Sequence, residues 1–322
     1  MRFVIYGIGA IGGTLAAMLS LAGEEVIGIA RGRQLQAIRE GGLLLRRPEG
    51  DQRARLETAA SPDEVTFRDD DVILLTMKTQ DSAAALDALA AAGLRDQHLF
   101  CLQNGVENER LALRRFVNVH GVTVVLPADY VTPGEVAAFG APHPGYLDIG
   151  RYPGGADAMD TLVAERLTAA GLPAFADPQV MASKHGKLLM NLGNIVDAAV
   201  GAQDEAKEIT ARLRAEGEAV FRAAGIDWRD SQDDPRRNTL MAMGRIEGLS
   251  RAGSSSAQSL VRGAGSIETA YLNGEIALLA RLHGAPAPAN AAMVALAQRM
   301  LREGLAPGSL APDDLLAAME AG

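Results

Sequence analysis

The sequence predicts an α/β protein: a doubly wound, Rossmann-type N-terminal domain over residues 1–177, followed by an all-helical C-terminal domain over residues 178–322. Three observations predict it. A glycine-rich turn lies between a short apolar strand and an apolar helix, and strand and helix patterns alternate up to Asp177-Pro178. Beyond that point no strand pattern remains. Alternation of this kind argues for a parallel sheet with helices on both faces. A chain of 322 residues is long enough for two domains with a core each.

The first strand is Phe3-Val4-Ile5-Tyr6. It runs into Gly7-Ile8-Gly9-Ala10-Ile11-Gly12, an Ala-rich helix and a second strand, Val26 to Ala30. Strand, G-x-G-x-x-G turn, helix and strand form the context that a dinucleotide fingerprint requires. Gly7 permits the tight turn, Gly9 lets the backbone approach a pyrophosphate, and Gly12 lets the helix pack on the strand. The N–H groups of the opening turn, Ala10 and Ile11 included, then face the phosphates along the helix dipole. A signal peptide is the other reading of residues 3–22. Four glycines interrupt that apolar run, and only Arg2 is basic ahead of it.

The end of the second strand selects the cofactor. NAD-selective folds place an acid there for the ribose 2′-OH. Here the strand ends Ile29-Ala30-Arg31-Gly32-Arg33, without a carboxylate. A guanidinium at Arg31 suits a 2′-phosphate through forked, charge-assisted bonds, so NADP(H) is expected.

A helix over Gln34–Glu40 and a hairpin of Leu43–Arg46 with Arg53–Leu56 follow. Asp69-Asp70-Asp71 reads as a solvated loop before a strand, Val72–Thr76, which ends in Met77-Lys78-Thr79-Gln80. Next come a helix over 81–92, strand Leu99–Leu102, the turn Gln103-Asn104-Gly105, a helix over 107–115 and strand Val117–Leu126. Ligands of doubly wound sheets bind beyond strand carboxyl ends, which is where Lys78 and Asn104 fall. In the Pro- and Gly-rich stretch 127–150, Glu135–Phe139 and Tyr146–Ile149 read as antiparallel additions completing the sheet. A helix over 157–170 and a strand Ala174–Ala176 close the domain.

Helical patterns then cover 179–201, 203–224, 234–243, 257–284 and 288–304, and the Gly/Ser-rich stretch 244–256 reads as a mobile substrate loop. Within the first of these helices, Lys187, Asn191 and Asn194 are spaced i, i+4, i+7 and share one face. The other faces are apolar. A polar stripe on a buried helix needs partners or a ligand, and a desolvated lysine is a usable proton donor. A snorkelling lysine beside asparagines bonded to neighbouring backbone fits the spacing equally well.

Composition narrows the classes. The chain is 48% hydrophobic and 22% charged, with a net charge of −9, which argues against nucleic acid or an anionic membrane as partner. The single cysteine, Cys101, lies in an apolar run, reads as a core residue and fits a reducing cytoplasm. The five histidines are scattered, so no metal is expected, and no uninterrupted apolar run reaches the length of a membrane span.

Taken in order, the motifs resemble those of the ketopantoate reductases (2-dehydropantoate 2-reductases) over nearly the whole chain. They are Gly7-Ile8-Gly9-Ala10-Ile11-Gly12, Arg31, Lys78 after its strand, Leu102-Gln103-Asn104-Gly105-Val106, Lys187 with Asn191, Ser254-Ser255, Glu268 in Glu268-Thr269-Ala270-Tyr271-Leu272-Asn273-Gly274, and Gly284-Ala285-Pro286-Ala287-Pro288. The resemblance implies NADPH-dependent reduction of a 2-keto acid, 2-dehydropantoate to pantoate, in pantothenate biosynthesis. It casts Lys187 as proton donor, with Glu268 binding a substrate hydroxyl and positioning Lys187. Asn104, Asn191, Asn194 and Ser255 would hold substrate or nicotinamide, and Lys78 would assist near the cofactor.

Three departures bear on the substrate. Ile195 stands where the family has a second asparagine, and Ser255-Ser256-Ala257-Gln258-Ser259 stands where it has Ser-Met-x-x-Asp. One extra residue precedes Glu268, and Ala270 replaces an acid. A same-fold reductase of another 2-keto or imino acid, or a non-catalytic NADP-binding sensor, are the alternatives; Lys187 and Glu268 together argue against the sensor. A homodimer is one assembly open to the chain.

Overall fold

Short apolar runs separated by helices are stable as parallel strands covered on both faces, and the computed structural model of the chain has that form. It describes residues 1–201, 204–230, 234–251, 253–261, 263 and 265–320. Two compact units result: Met1–Lys184 with Asp233–Arg251, and His185–Gln232 with Ala252–Gly322.

The first unit begins β1 (Arg2–Tyr6), α1 (Ala10–Leu21), β2 (Glu25–Ile29), α2 (Gly32–Gly41), β3 (Leu43–Arg46), β4 (Gln52–Ala54) and β5 (Glu57–Ala59). It continues β6 (Asp71–Leu75), α3 (Thr79–Ala91), β7 (His98–Cys101), α4 (Asn108–Leu113), β8 (Val119–Val125), β9 (Ala128–Thr132), β10 (Glu135–Ala138) and β11 (Gly140–Pro142). Then come β12 (Tyr146–Arg151), α5 (Ala158–Ala169), β13 (Ala174–Ala176) and α6 (Val180–Asn191), within which the boundary between the units falls. The main sheet runs β13-β12-β8-β7-β6-β1-β2-β5, with β12 antiparallel to β8 and its other neighbours parallel. Strand order reverses between β1 and β6, so the crevice beyond their carboxyl ends is the expected ligand site.

Alternation along each strand divides the core. Phe3, Ile5, Leu74 and Phe100 pack on one face with Leu15 and Leu19 of α1 and Val163 of α5. Val4, Ile73, Leu75, Leu99 and Cys101 pack on the other with Leu86 and Leu89 of α3. Cys101 is therefore the core residue its sequence context implies.

Three local expectations are corrected. Asp71 is a buried strand residue, held by Arg2 through Nε–Oδ1 (2.8 Å) and Nη2–Oδ2 (2.7 Å). Glu135–Ala138 joins a second sheet, β4-β3-β10-β9, instead of extending the first; Gly13 leaves room for Val136 against α1. The stretch after 234 is not simply helical. It contains α9 (Arg236–Leu240) and β14 (Met241–Met243), and β14 pairs with β11. The Gly244 N–H donates to Phe139 O (2.6 Å), and Ile246 is buried with Ala137 and Phe139. The first half of the supposed mobile loop is thus docked on the first unit.

In the second unit, the end of α6 is followed by α7 (Asn194–Val200), α8 (Asp204–Ala224), α10 (Ser255–Val261), α11 (Asn273–His283), α12 (Pro288–Glu303) and α13 (Pro312–Glu320). Buried Asn273 ties α11 to Leu192 O (3.2 Å) and to Asn290 Oδ1 (3.0 Å), and Glu216 of α8 caps the first N–H groups of α12. Among the described residues no helix is long and apolar enough to cross a membrane.

The sheet also joins two histidines that look scattered in the sequence. Phe100 pairs with His120, and His98 lies diagonally across. His98 Nδ1 and His120 Nε2 are 2.8 Å apart, and His120 Nδ1 lies 2.6 Å from buried Asp160 Oδ1. Asp157 brings a third candidate metal-ligand atom within 4.8 Å. Its carboxylate already accepts from the Met159 and Asp160 N–H groups and from Arg151, and the two facing ring nitrogens lie at hydrogen-bond distance. His98, His120 and Asp160 thus form a hydrogen-bonded chain. Burial, and then the charge of His120, hold His98 below the ordinary histidine value. The fold therefore favours neutral His98. Its contribution is intact above about pH 6.5, the unfolded value, and is lost as pH falls through the depressed folded one. Melting temperatures measured from pH 8 to 5 should decline below about pH 6.5, with His98→Gln showing a shallower decline. Parallel curves would exclude His98 as a source of the pH dependence.

Candidate active site

The glycine turn is shaped by what crowds it. Gly7 has φ +108°, and a Cβ there would lie 2.8 Å from Met77 N. A Cβ on Gly12 would collide with Gly7 O and the Thr76 hydroxyl. That hydroxyl donates to Gly7 O (2.7 Å) and to Tyr6 O (3.0 Å), fastening the turn to the end of β6. Gly9 differs: none of the described residues lies within 4 Å of the Cβ it lacks. It stands at the N-cap of α1, without a side-chain cap and with no acid in the first turn. The opening N–H groups of α1, Ala10 and Ile11 among them, thus have no side-chain cap and no acid in their own turn. Open backbone beside an uncapped helix N-terminus fits a pyrophosphate. Gln34 braces the turn from α2, donating to Ile8 O (3.0 Å) and accepting from the Gly134 N–H (2.7 Å). Sequence reading passed over this glutamine because an amide in an amphipathic helix has no motif.

Arg31 is exposed at the N-cap of α2, just past β2. Its charge reaches the Tyr6 phenol at the end of β1, opposing the burial that pushes that phenol up. Lys78 is half-buried at the N-cap of α3. Asn104 follows β7, and a chain of side chains links the two loops. Gln103 Nε2 donates to Ser82 Oγ (3.0 Å), which donates to Asn108 Oδ1 (2.7 Å). Asn108 Nδ2 in turn donates to Thr79 Oγ1 (3.1 Å) and to Asn104 O (3.2 Å).

In the second unit, α6 carries Lys187 and Asn191 one turn apart, between the fully buried Leu188, Leu189 and Leu192. Asn194 is not on that helix. The chain breaks at Leu192-Gly193, where a Cβ on Gly193 would lie 2.8 Å from Thr210 Cγ2 of α8, and Asn194 opens α7. The expected three-residue face therefore reduces to Lys187 and Asn191. Asn194 instead meets Ser255, with Nδ2 3.4 Å from Oγ. Ser254 secures this contact by donating its N–H to Asp197 Oδ2 (2.7 Å) and its hydroxyl to Asn194 O (2.9 Å). Glu268 is buried in a short 3₁₀ turn, Glu268–Tyr271, and Asn273 just beyond it is tied to Leu192. Asn191 is 7% exposed, yet its Nδ2 has no hydrogen-bond partner among the described residues. Such a group costs about 1–3 kcal/mol unless a ligand accepts from it. Ser256 Oγ and Thr269 Oγ1 are buried in the same condition.

Two family models match the chain: ketopantoate reductase PanE/ApbA over residues 3–154, and ketopantoate reductase PanE/ApbA C terminal over residues 179–301. The 2-dehydropantoate 2-reductase of Caulobacter vibrioides is 32% identical over 309 residues, 91% of this chain and 96% of the relative. That of Pyrococcus horikoshii is 29% identical over 317 residues, 96% of this chain and 100% of the relative. Among solved structures, a PanE/ApbA family ketopantoate reductase from Ralstonia eutropha JMP134 superposes with a TM-score of 0.79 at 28% identity, covering 94% of this chain and 99% of that one. D-mandelate dehydrogenase with NADH and anilino(oxo)acetate also reaches 0.79, at 24% identity, covering 95% of this chain and 100% of that one; it shares the fold.

Proposed function

Because the chain belongs to the ketopantoate reductase PanE/ApbA family of oxidoreductases, we propose that it reduces 2-dehydropantoate to pantoate with NADPH, with Lys187 as proton donor. The observation that carries the reading is the end of α6: half-buried Lys187, followed one turn later by a buried amide whose donor has no partner among the described residues.

When bound, the reduced nicotinamide supplies the hydride that goes to the keto carbon. The turn at Gly7, Gly9, Ala10, Ile11 and Gly12 binds the pyrophosphate, Arg31 the 2′-phosphate, and Lys78 and Asn104 hold the cofactor beyond their strands. As the keto group gains charge on oxygen, the Lys187 ammonium neutralises it and passes a proton to that oxygen, giving the alcohol. Asn191 donates its free Nδ2–H to substrate oxygen, Asn194 and Ser255 hold the substrate, and Glu268 accepts from a substrate hydroxyl and orients Lys187. One observation favours a different 2-keto acid. Ser256, where the resemblance expects methionine, leaves a buried hydroxyl without a partner among the described residues.

The test is turnover of 2-dehydropantoate and a panel of other branched 2-keto acids with NADPH and NADH, in wild type and Arg31→Ala. Wild type is expected to reduce 2-dehydropantoate with NADPH. Loss of one charged hydrogen bond, roughly 1.5–3 kcal/mol, should weaken NADPH in the variant by about ten- to a hundredfold and leave NADH nearly unchanged. Turnover of another keto acid alone would replace the substrate. Equal weakening of both nucleotides would make Arg31 structural.

A further inference from the structure

The proposed chemistry leaves one buried charge pair unused. Lys184, three residues before Lys187 on α6, is 3% exposed, and Glu109 of α4 is 0% exposed. Their Nζ–Oε1 distance is 2.6 Å. Burial pushes the Glu109 carboxyl up, and the Lys184 charge opposes that. Lys184 Nζ also donates to Gln103 O (2.9 Å), Val122 O (3.3 Å) and Cys101 O (3.4 Å). An ammonium has three donors and no acceptor, so this one is spent on the carbonyls of Cys101 at the end of β7, Gln103 just beyond it and Val122 in the middle of β8.

The consequence falls on Asn104. Gln103 O belongs to the peptide plane entering Asn104, and Lys184 holds it. Asn104 O belongs to the plane leaving it, and Asn108 Nδ2 (3.2 Å) and Thr79 Oγ1 (3.4 Å) hold that. Gly105 follows at φ +79°, allowing the turn. With both flanking planes gripped, the backbone at Asn104 has little freedom, and the direction of its Cα–Cβ bond is set. A desolvated pair would be costly as a stability device alone, since apolar residues of similar size often serve as well or better. We propose that Lys184, paired with Glu109, is a positioning residue for reduction, fixing the Gln103–Asn104 peptide so that the Asn104 amide is aimed at nicotinamide and substrate. This assignment rests on the reductase reading above and goes beyond its list of site residues.

The test compares wild type with Lys184→Met and with the double variant Lys184→Met/Glu109→Leu. The single variant strands a buried carboxylate and is expected to lose stability. The double variant removes that penalty while still releasing Gln103 O. Four quantities are measured in the full chain: melting temperature, NADPH dissociation constant, kcat with the 2-keto acid that wild type reduces, and backbone hydrogen exchange over residues 103–108. The double variant should melt near wild type and bind NADPH within about threefold of it. Its kcat should fall by roughly ten- to a hundredfold, as misplacement of a site group by an ångström can cause, and exchange at 104–106 should quicken. Unchanged kcat with quickened exchange would overturn the positioning role. So would a fall in kcat with unchanged exchange, because Gln103 would not be the route. Wild type reducing no keto acid would defeat the reductase reading instead; exchange would then still decide whether Lys184 orders the turn.

Discussion

Replacing Lys187 with alanine is expected to lower kcat by about 10²–10⁴, the usual contribution of a positioned general acid. The proton is needed only as the carbonyl oxygen gains charge, so kcat and kcat/KM should fall together. NADPH affinity should hold, because the glycine turn and Arg31 lie in the other unit. Stability should hold as well. Lys187 is half-buried and its neighbours Leu188 and Leu189 supply the buried face of α6, so alanine at this position opens no large cavity. A lysine that merely snorkels predicts a different pattern, in which melting temperature changes and per-molecule rate does not. Single-turnover oxidation of NADPH by the folded variant separates the two. A rate within about threefold of wild type would remove Lys187 from the reaction.

What could be read from the chain follows from the range of the forces involved. The glycine turn was legible because its function requires a strand before it and a helix after it, all within thirty residues. The alternation of Val4 and Ile5, or of Ile73 and Leu74, likewise reports two covered faces directly. Features set by contacts across long separations were not legible. Asp71 looks like the rest of its acidic run until Arg2, 69 residues earlier, is brought against it. The break between Asn191 and Asn194 comes from the close approach of Gly193 to Thr210, and no periodicity announces it. β14 is three residues long and pairs with a strand about a hundred residues away, too short a segment to carry a pattern. His98 and His120 meet only because β7 and β8 are neighbours.

The two lysines of α6 show the same limit within the candidate site. In sequence, Lys184 and Lys187 are equivalent cations on one helix. Lys184 reaches carbonyls at and just beyond the end of β7 and in the middle of β8, and a buried carboxylate, so its donors are used up. Lys187 lies one turn further along α6, in the second unit, and is half-buried where Lys184 is buried. Family resemblance selects Lys187 as the acid, and geometry supplies the reason Lys184 cannot substitute for it.

Alanine at Gly9 and alanine at Gly12 are expected to fail in opposite ways, although both glycines belong to one motif. At Gly9 the added Cβ meets none of the described residues within 4 Å, and the backbone has φ −95°, outside the left-handed region. Gly9→Ala should therefore melt within a degree or two of wild type, as surface changes without a structural partner do. Its methyl would occupy the approach of the pyrophosphate to the backbone. Losing one charge-assisted hydrogen bond there, roughly 1.5–3 kcal/mol, weakens NADPH by about ten- to a hundredfold. At Gly12 the Cβ would overlap Gly7 O and the Thr76 hydroxyl. Thr76 can rotate only by giving up its bonds to Tyr6 O and Gly7 O, and the carbonyl can move only by opening the turn. Overpacking of this kind costs about 1–3 kcal/mol or more, so Gly12→Ala should lose stability before any nucleotide is added. Melting temperature and NADPH titration on the two variants read these outcomes separately. A Gly9→Ala protein that binds NADPH as wild type does would show that the pyrophosphate does not lie against this turn.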